Sequence, residues 1–217
     1  MTRRTLLMAA LAPAPVQVIA HRGGKPDNTL TAIEDSIRLG VDWVELDVRT
    51  TPEGKFVLSH DAFTDASGLP TFDDALDLLR PGGCRLYLDA KQITAPAIVD
   101  RLRAHRMLDR SVVYGSLALH RALFALRQGH LCMPEAVSAP VLKGLLDELK
   151  PKIIAFDRND FRDEVLAVAR AARVGIFVDR LGKDDNEAAW LDAAQRGATG
   201  IQTDHPADLL RVLRRHK

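Results

Sequence analysis

The chain has 217 residues, of which 47% are hydrophobic and 27% charged, enough to bury one sizeable core. Its 30 Lys and Arg nearly balance 29 Asp and Glu, and a net charge of +1 gives no field that would recruit nucleic acid or an acidic membrane surface. Cys84 and Cys132 have no metal-ligand spacing and read as small core residues.

Residues 1–15 carry Arg3-Arg4, a short apolar run and small residues near their end, the pattern of a twin-arginine export leader to the periplasm or the outside. The apolar run is too short to cross a bilayer, so no stable membrane insertion is expected. Pro follows both Ala12 and Ala14, where cleavage would fall, and the alternative is a simple tail on a cytoplasmic protein. Residues 16–217 read as a single catalytic domain.

The first strand, Val18-Ile19-Ala20, delivers His21-Arg22-Gly23-Gly24 at its end. Asn28-Thr29 then open a helix over 30–39, with Leu30, Ile33 and Ile37 at helical spacing and Gly40 as its stop. Strand Val44-Glu45-Leu46-Asp47-Val48 follows. Side chains on a strand alternate, so Glu45 and Asp47 share one face while Val44, Leu46 and Val48 take the other. A solvated outer face is unlike those three apolar residues, so the carboxylate pair points to a cation site rather than to solvent.

Thr51-Pro52-Glu53-Gly54-Lys55 signals a turn, and Phe56-Val57-Leu58-Ser59-His60 a returning strand. A hairpin centred between Glu53 and Gly54 sets His60 opposite Asp47. Thr71 caps the next helix, which Pro81-Gly82-Gly83 ends, and Arg85 to Lys91 is a strand with Asp89 and Lys91 on one face. From residue 95 the helix-strand unit repeats, with strands expected at 111, 130, 153, 174 and 200. Leaving the hairpin strand aside, this makes eight β-α units, and hence a TIM (β/α)8 barrel with a β-hairpin extension after its second strand. An open doubly wound sheet has the same alternation, but it would spread the polar strand ends that a closed barrel gathers.

Glu45, Asp47 and Asp89 are hard oxygen ligands suited to Mg²⁺ or Ca²⁺, with Arg22 and Lys91 as counter-charges. A cation and two basic side chains together bind an anion, and His21 with His60 can supply an acid and a base near neutral pH. Glu135 and Asp157, near strand ends, rank below these as pocket residues, and Trp43 and Trp190 read as packing.

His21-Arg22-Gly23, Pro26-Asp27-Asn28-Thr29, Glu45-Leu46-Asp47, His60-Asp61, Leu88-Asp89-Ala90-Lys91 and the run from Gly200 to Pro206 together resemble the glycerophosphodiester phosphodiesterase family, within the phosphatidylinositol-phospholipase-C-like TIM barrel phosphodiesterases. The likeness runs over about residues 16 to 212 and is weakest between about 95 and 195. It implies that His21 and His60 act as acid and base, that Glu45, Asp47 and Asp89 hold the divalent metal, and that Arg22 and Lys91 contact phosphate. In the implied reaction a neighbouring glycerol hydroxyl attacks phosphorus, the head-group alcohol leaves, and water opens the cyclic phosphate to glycerol 3-phosphate. The sequence departs from the family in Asp27 for Glu, in Asp89 for Glu, in the absence of a Trp near Val178, and in a much shortened insertion, Ala62 to Leu69. Asp89 also resembles the related sphingomyelinase D enzymes. Two alternatives therefore stand beside the diesterase: lipid head-group cleavage of that kind, and a barrel that binds a phosphorylated ligand without turnover. The short insertion predicts an open mouth that tolerates bulky head groups.

Overall fold

Five helices begin where an oxygen-bearing side chain catches a free amide. Thr29 accepts from the amide of Ala32 at the head of α1 (Leu30–Leu39), and Thr71 from that of Asp74 at the head of α2 (Phe72–Gly82). Ser116, Ser138 and Asn186 do the same for α4 (Leu117–Ala125), α5 (Ala139–Leu149) and α7 (Glu187–Gln195). The remaining helices are α3 (Ala95–Ala104), α6 (Asp163–Ala172) and α8 (Pro206–Arg215). These assignments come from a computed structural model that describes residues 15–216. The leader expected over residues 1–15 lies, apart from Pro15, outside the described residues.

Between the helices run β1 (Gln17–Ala20), β2 (Trp43–Thr50), β4 (Arg85–Gln92), β5 (Ser111–Tyr114), β6 (Ile153–Phe156), β7 (Gly175–Asp179) and β8 (Gly200–Thr203). They pair in parallel in the order β5-β4-β2-β1-β8-β7-β6, and β3 (Phe56–Leu58) pairs antiparallel with β2 as the hairpin arm. The fold is a nearly closed barrel of seven parallel strands, not eight. No continuous strand forms at 130–133: Gly129–Leu131 makes a 3-10 turn, and around Pro134, which has no amide to donate, only isolated bridges from Cys132 to Val113 and from Glu135 to Ala155 remain. Backbone hydrogen bonds from Met133 to Val113, from Ala155 to Pro134 and from Ala136 to Ala155, at 3.0 Å each, close the gap instead.

The strand alternation separates two apolar layers. Val44, Leu46 and Val48 face outward under the helices, fully buried with Ile33, Leu76 and Leu88. Ile19, Trp43, Tyr87, Met133, Ala155 and Phe177 fill the barrel interior. That inner plug supports a polar layer above it, at the C-terminal ends of the strands, where barrels of this kind carry their sites.

The hairpin register differs from the expected one by a residue. Arg49 pairs with Val57 and Thr50 with Phe56, so the turn centres on Glu53, and Gly54 takes a left-handed φ of 83°. A three-residue loop with glycine in that conformation is the usual partner of an odd register. Ser59, not His60, therefore lies opposite Asp47, and its amide donates to the Asp47 carbonyl at 3.0 Å.

Candidate active site

Glu45 and Asp47 point into the barrel mouth from β2, and each is only 2% exposed. Parallel pairing with β4 sets Asp47 level with Asp89 and Glu45 level with Tyr87. Carboxylate oxygens of Glu45, Asp47 and Asp89 all come within 4.8 Å of one another, as in a group able to hold a divalent cation. Burial, reinforced by the charge of Asp47, pushes the Glu45 carboxyl well above its usual range, against the hydrogen bond it accepts from the Arg22 amide at 2.7 Å. Burial also raises Asp89, and Lys91 opposes it. Three buried carboxylates so close together call for a compensating cation, and their oxygens suit Mg²⁺ or Ca²⁺ chemistry.

Lys91 supplies part of that charge, with its Nζ 2.8 Å from Asp89 Oδ2 and 3.4 Å from Asp47 Oδ1. Burial opposes its charge, but Asp89 and Asp47 prevail and its pKa is raised. Arg22 sits on a left-handed backbone, φ 52°, and its Nη1 donates to Asp27 Oδ2 at 2.9 Å. Its Nε lies 3.4 Å from Asp47 Oδ2 and is buried without a hydrogen-bond partner. Asp47 thus offsets the charge of Arg22 without a hydrogen bond to Nε, and the guanidinium stays a planar cation at the cavity wall.

The Pro26-Asp27-Asn28-Thr29 motif has a structural reading here. Asp27 orients Arg22, Asn28 donates from Nδ2 to Asp47 Oδ2 at 2.9 Å and accepts the Asp47 amide at 3.2 Å, and Thr29 caps α1. Asp47 is thereby fixed before any ligand arrives.

His21 and His60 both reach the cavity, by different routes. His21 follows β1, is largely buried, and its Nδ1 lies 2.9 Å from Asp204 Oδ1. His60 lies past the hairpin's last pair, its carbonyl accepts from Arg49 Nε and Nη2 at 3.0 and 2.8 Å, and its Nδ1 lies 2.8 Å from Asp61 Oδ1. An ionised carboxylate can only accept, so Nδ1 carries the proton in each and Nε2 is left for the cavity. The one-residue register change therefore does not cost His60 its place, because the ladder has already ended when the chain reaches it.

Every residue singled out from sequence lines one cavity of about 280 Å³: His21, Arg22, Glu45, Asp47, His60, Asp89 and Lys91. Three further sets of residues bear on the site. Asp204 is held by Asp185, which accepts its amide at 2.7 Å and also takes the Trp190 indole N–H at 2.9 Å, so Trp190 supports the site as well as packing. Asn28 appeared only as part of a motif. Glu135 and Asp157, ranked low, and Tyr114 and Asp179 line the wall facing β1 and β2. The signal for that last set was present, since Tyr114, Asp157 and Asp179 each stand at or just past a strand's C-terminal end. No residue of the short segment 62–69 lines the cavity.

Residues 21–76 match the model of the glycerophosphoryl diester phosphodiesterase family. Human glycerophosphodiester phosphodiesterase 1 is 31% identical over 157 residues, which cover 66% of this chain and 47% of that protein. A glycerophosphodiester phosphodiesterase of Caldanaerobacter subterraneus is 45% identical over 51 residues, 22% of this chain and 21% of its own length. Over these stretches the chain resembles the glycerophosphodiester phosphodiesterase family. Among solved structures, a glycerophosphodiester phosphodiesterase from Parabacteroides distasonis superposes with a TM-score of 0.81 at 17% identity, covering 94% of this chain and 99% of its own. A phosphodiesterase from Oleispira antarctica, solved with its product sn-glycerol-3-phosphate, gives 0.81 at 20% identity, over 92% and 97%. At such identities these likenesses speak for the fold. The match to the human relative spans about half of that protein's length.

For a glycerophosphodiester phosphodiesterase fold, the His21–Asp204 contact makes a specific expectation. Asp204→Asn keeps the side chain's shape but removes the charge that holds Nδ1–H, and should lower kcat by about 10- to 100-fold. Steady-state kinetics and metal titration check it: KM and metal affinity should stay near wild type, and a change confined to KM would contradict a positioning role.

Proposed function

We propose that the protein hydrolyses glycerophosphodiesters to glycerol 3-phosphate and an alcohol. The observation that carries this reading is the gathering of Arg22 and Lys91, each paired with Asp47, with three clustered carboxylates and two histidines around one cavity. A bound Mg²⁺ or Ca²⁺ would neutralise Glu45, Asp47 and Asp89 and polarise the phosphoryl oxygens. Arg22 offers its guanidinium to one phosphate oxygen and Lys91 its ammonium to another. Both are oriented before binding, Arg22 by Asp27 and Lys91 by Asp89. The substrate's neighbouring glycerol hydroxyl attacks phosphorus and the bond to the head-group alcohol breaks. One histidine Nε2 takes the hydroxyl proton while the other, protonated, gives its proton to the departing alcohol. With the proton states reversed, the same pair lets water open the cyclic phosphate.

The family-model match over residues 21–76 and the product carried by the Oleispira neighbour support this substrate class over sphingomyelinase D-like cleavage or binding alone. Purified protein supplied with Mg²⁺ or Ca²⁺ should release glycerol 3-phosphate from glycerophosphocholine or glycerophosphoethanolamine. Release only from lysophospholipids or sphingomyelin would move the reading to lipid head-group cleavage, and no release from any of them would leave a binding barrel.

A further inference from the structure

Facing the phosphate-binding residues across the cavity is a wall that the proposed chemistry does not use. Glu135, Asp157 and Asp179 line it, with Tyr87 and Tyr114 beside them and Phe177 below. Tyr114 donates its hydroxyl to Glu135 Oε2 at 2.8 Å, and Asp157 accepts the Asn159 amide at 2.7 Å. Arg22 and Lys91 pair with the other carboxylate trio, whereas none of these three carboxylates takes part in an ion pair among the described residues. Two polar groups in this wall also lack hydrogen-bond partners there. Asp179 Oδ1 is buried and unpartnered, and the Tyr87 side chain, in a residue only 7% exposed, makes no hydrogen bond among the described residues.

Buried polar groups without partners that open on a cavity are completed by what binds there. The sign of the wall requires a cation. Its spacing excludes a small one: among the described residues only Glu45, Asp47 and Asp89 bring their oxygens together as a metal shell would. Two phenol rings, 6.2 Å apart between centroids and tilted by 56°, add the aromatic faces that attract a large, diffuse positive charge. A sugar-like hydroxyl could satisfy Tyr87 but would leave Glu135 and Asp157 without an ion-pair partner, and only Asp179 has the charges of Arg158 and Arg180 near it.

We infer that Glu135, Asp157, Asp179, Tyr87 and Tyr114 form a subsite for an alkylammonium group, the positively charged head group of a zwitterionic diester whose phosphate lies between Arg22 and Lys91. The placement of that phosphate rests on the phosphodiesterase reading; the cation-binding wall does not. With its phosphate on the basic side and its ammonium on the acidic side, a zwitterionic substrate is held at both ends, and the bond between them is oriented across the histidines.

Two measurements test this. Calorimetric titration of the metal-saturated protein with tetramethylammonium chloride needs no turnover and should show saturable binding, weakened about tenfold or more in Glu135→Gln and in Asp179→Asn. If Asp179→Asn fails to fold, Glu135→Gln carries the comparison. No saturable binding, or binding that Glu135→Gln leaves intact, overturns the subsite even if diesters are cleaved. In the second measurement, kcat/KM for glycerophosphocholine and glycerophosphoethanolamine should fall about tenfold more in these variants than kcat/KM for glycerophosphoglycerol, whose head group is uncharged. Equal losses on all three overturn the proposal. Failure to cleave any of them, with tetramethylammonium still bound and still sensitive to Glu135→Gln, supports the ammonium site and removes the phosphodiesterase reading instead.

Discussion

His21→Ala and His60→Ala are each expected to lower turnover of a glycerophosphodiester by roughly 10²-fold or more, the scale of a lost general acid or base. The surroundings of the two residues differ, which separates a chemical from a structural effect. The His21 side chain is 13% exposed and tied to Asp204, so its removal also leaves a buried carboxylate with one partner fewer. The His60 side chain is 41% exposed and tied to the open Asp61, so its loss should leave the melting temperature nearly unchanged while turnover collapses. Since the two act as a unit in one chemical step, the double variant should be little worse than the poorer single one. Single-turnover kinetics with thermal melts on all three variants decide the matter. Near wild-type turnover in His60→Ala would make that histidine a bystander at the rim, and multiplicative losses would mean that the two do not act on one step.

How much of this site could be read from the sequence depends on how local each relation is. The face shared by Glu45 and Asp47 follows from strand alternation alone, and the outward burial of Val44, Leu46 and Val48 follows with it. Asp89 and Lys91 obey the same rule, and their 2.8 Å contact is the direct result. Helix starts at Thr29 and Thr71 were legible because a cap is chemistry within four residues. The hairpin register was not, because Gly54 can serve a two-residue turn or a three-residue loop with equal ease, and only the packing of Val57 and Leu58 decides between them. The strand expected at 130 failed for a related reason: its apolar run is short, and Pro134 weighs more in a ladder than in a composition pattern. Asp204 and the wall of Glu135, Asp157 and Asp179 needed the closed barrel itself. Residues far apart in sequence become neighbours only when β8 pairs with β1 and the β7 end turns toward β4.

Removal of divalent metal should abolish activity, and Mg²⁺ or Ca²⁺ should restore it, because without a cation Glu45, Asp47 and Asp89 repel both one another and an incoming phosphate. The pH dependence follows from the direction of the Glu45 shift. Folding raises this carboxyl above its ordinary 4.5, so the metal-free protein holds that proton more tightly folded than unfolded. Its stability contribution is therefore present at low pH and is lost as pH climbs from 4.5 through the raised value. Metal binds the deprotonated form, so the rise in melting temperature on adding Mg²⁺ or Ca²⁺ should grow as pH increases across that window. Asp89 supplies the sharpest test, because its contact with Lys91 at 2.8 Å offers a reading in which it never touches metal. If it is a ligand, its oxygen must come within about 2.0 to 2.6 Å of the cation, and Lys91 must release it in part to phosphate. Asp89→Asn should then weaken metal binding by tenfold or more, while Asp89→Glu, which restores a longer carboxylate, should keep measurable affinity and turnover. Calorimetric titration of Mg²⁺ and Ca²⁺ into both variants reads this directly. Unchanged affinity in Asp89→Asn would leave Glu45 and Asp47 as the carboxylate ligands, with Asp89 holding Lys91 in place for the phosphate.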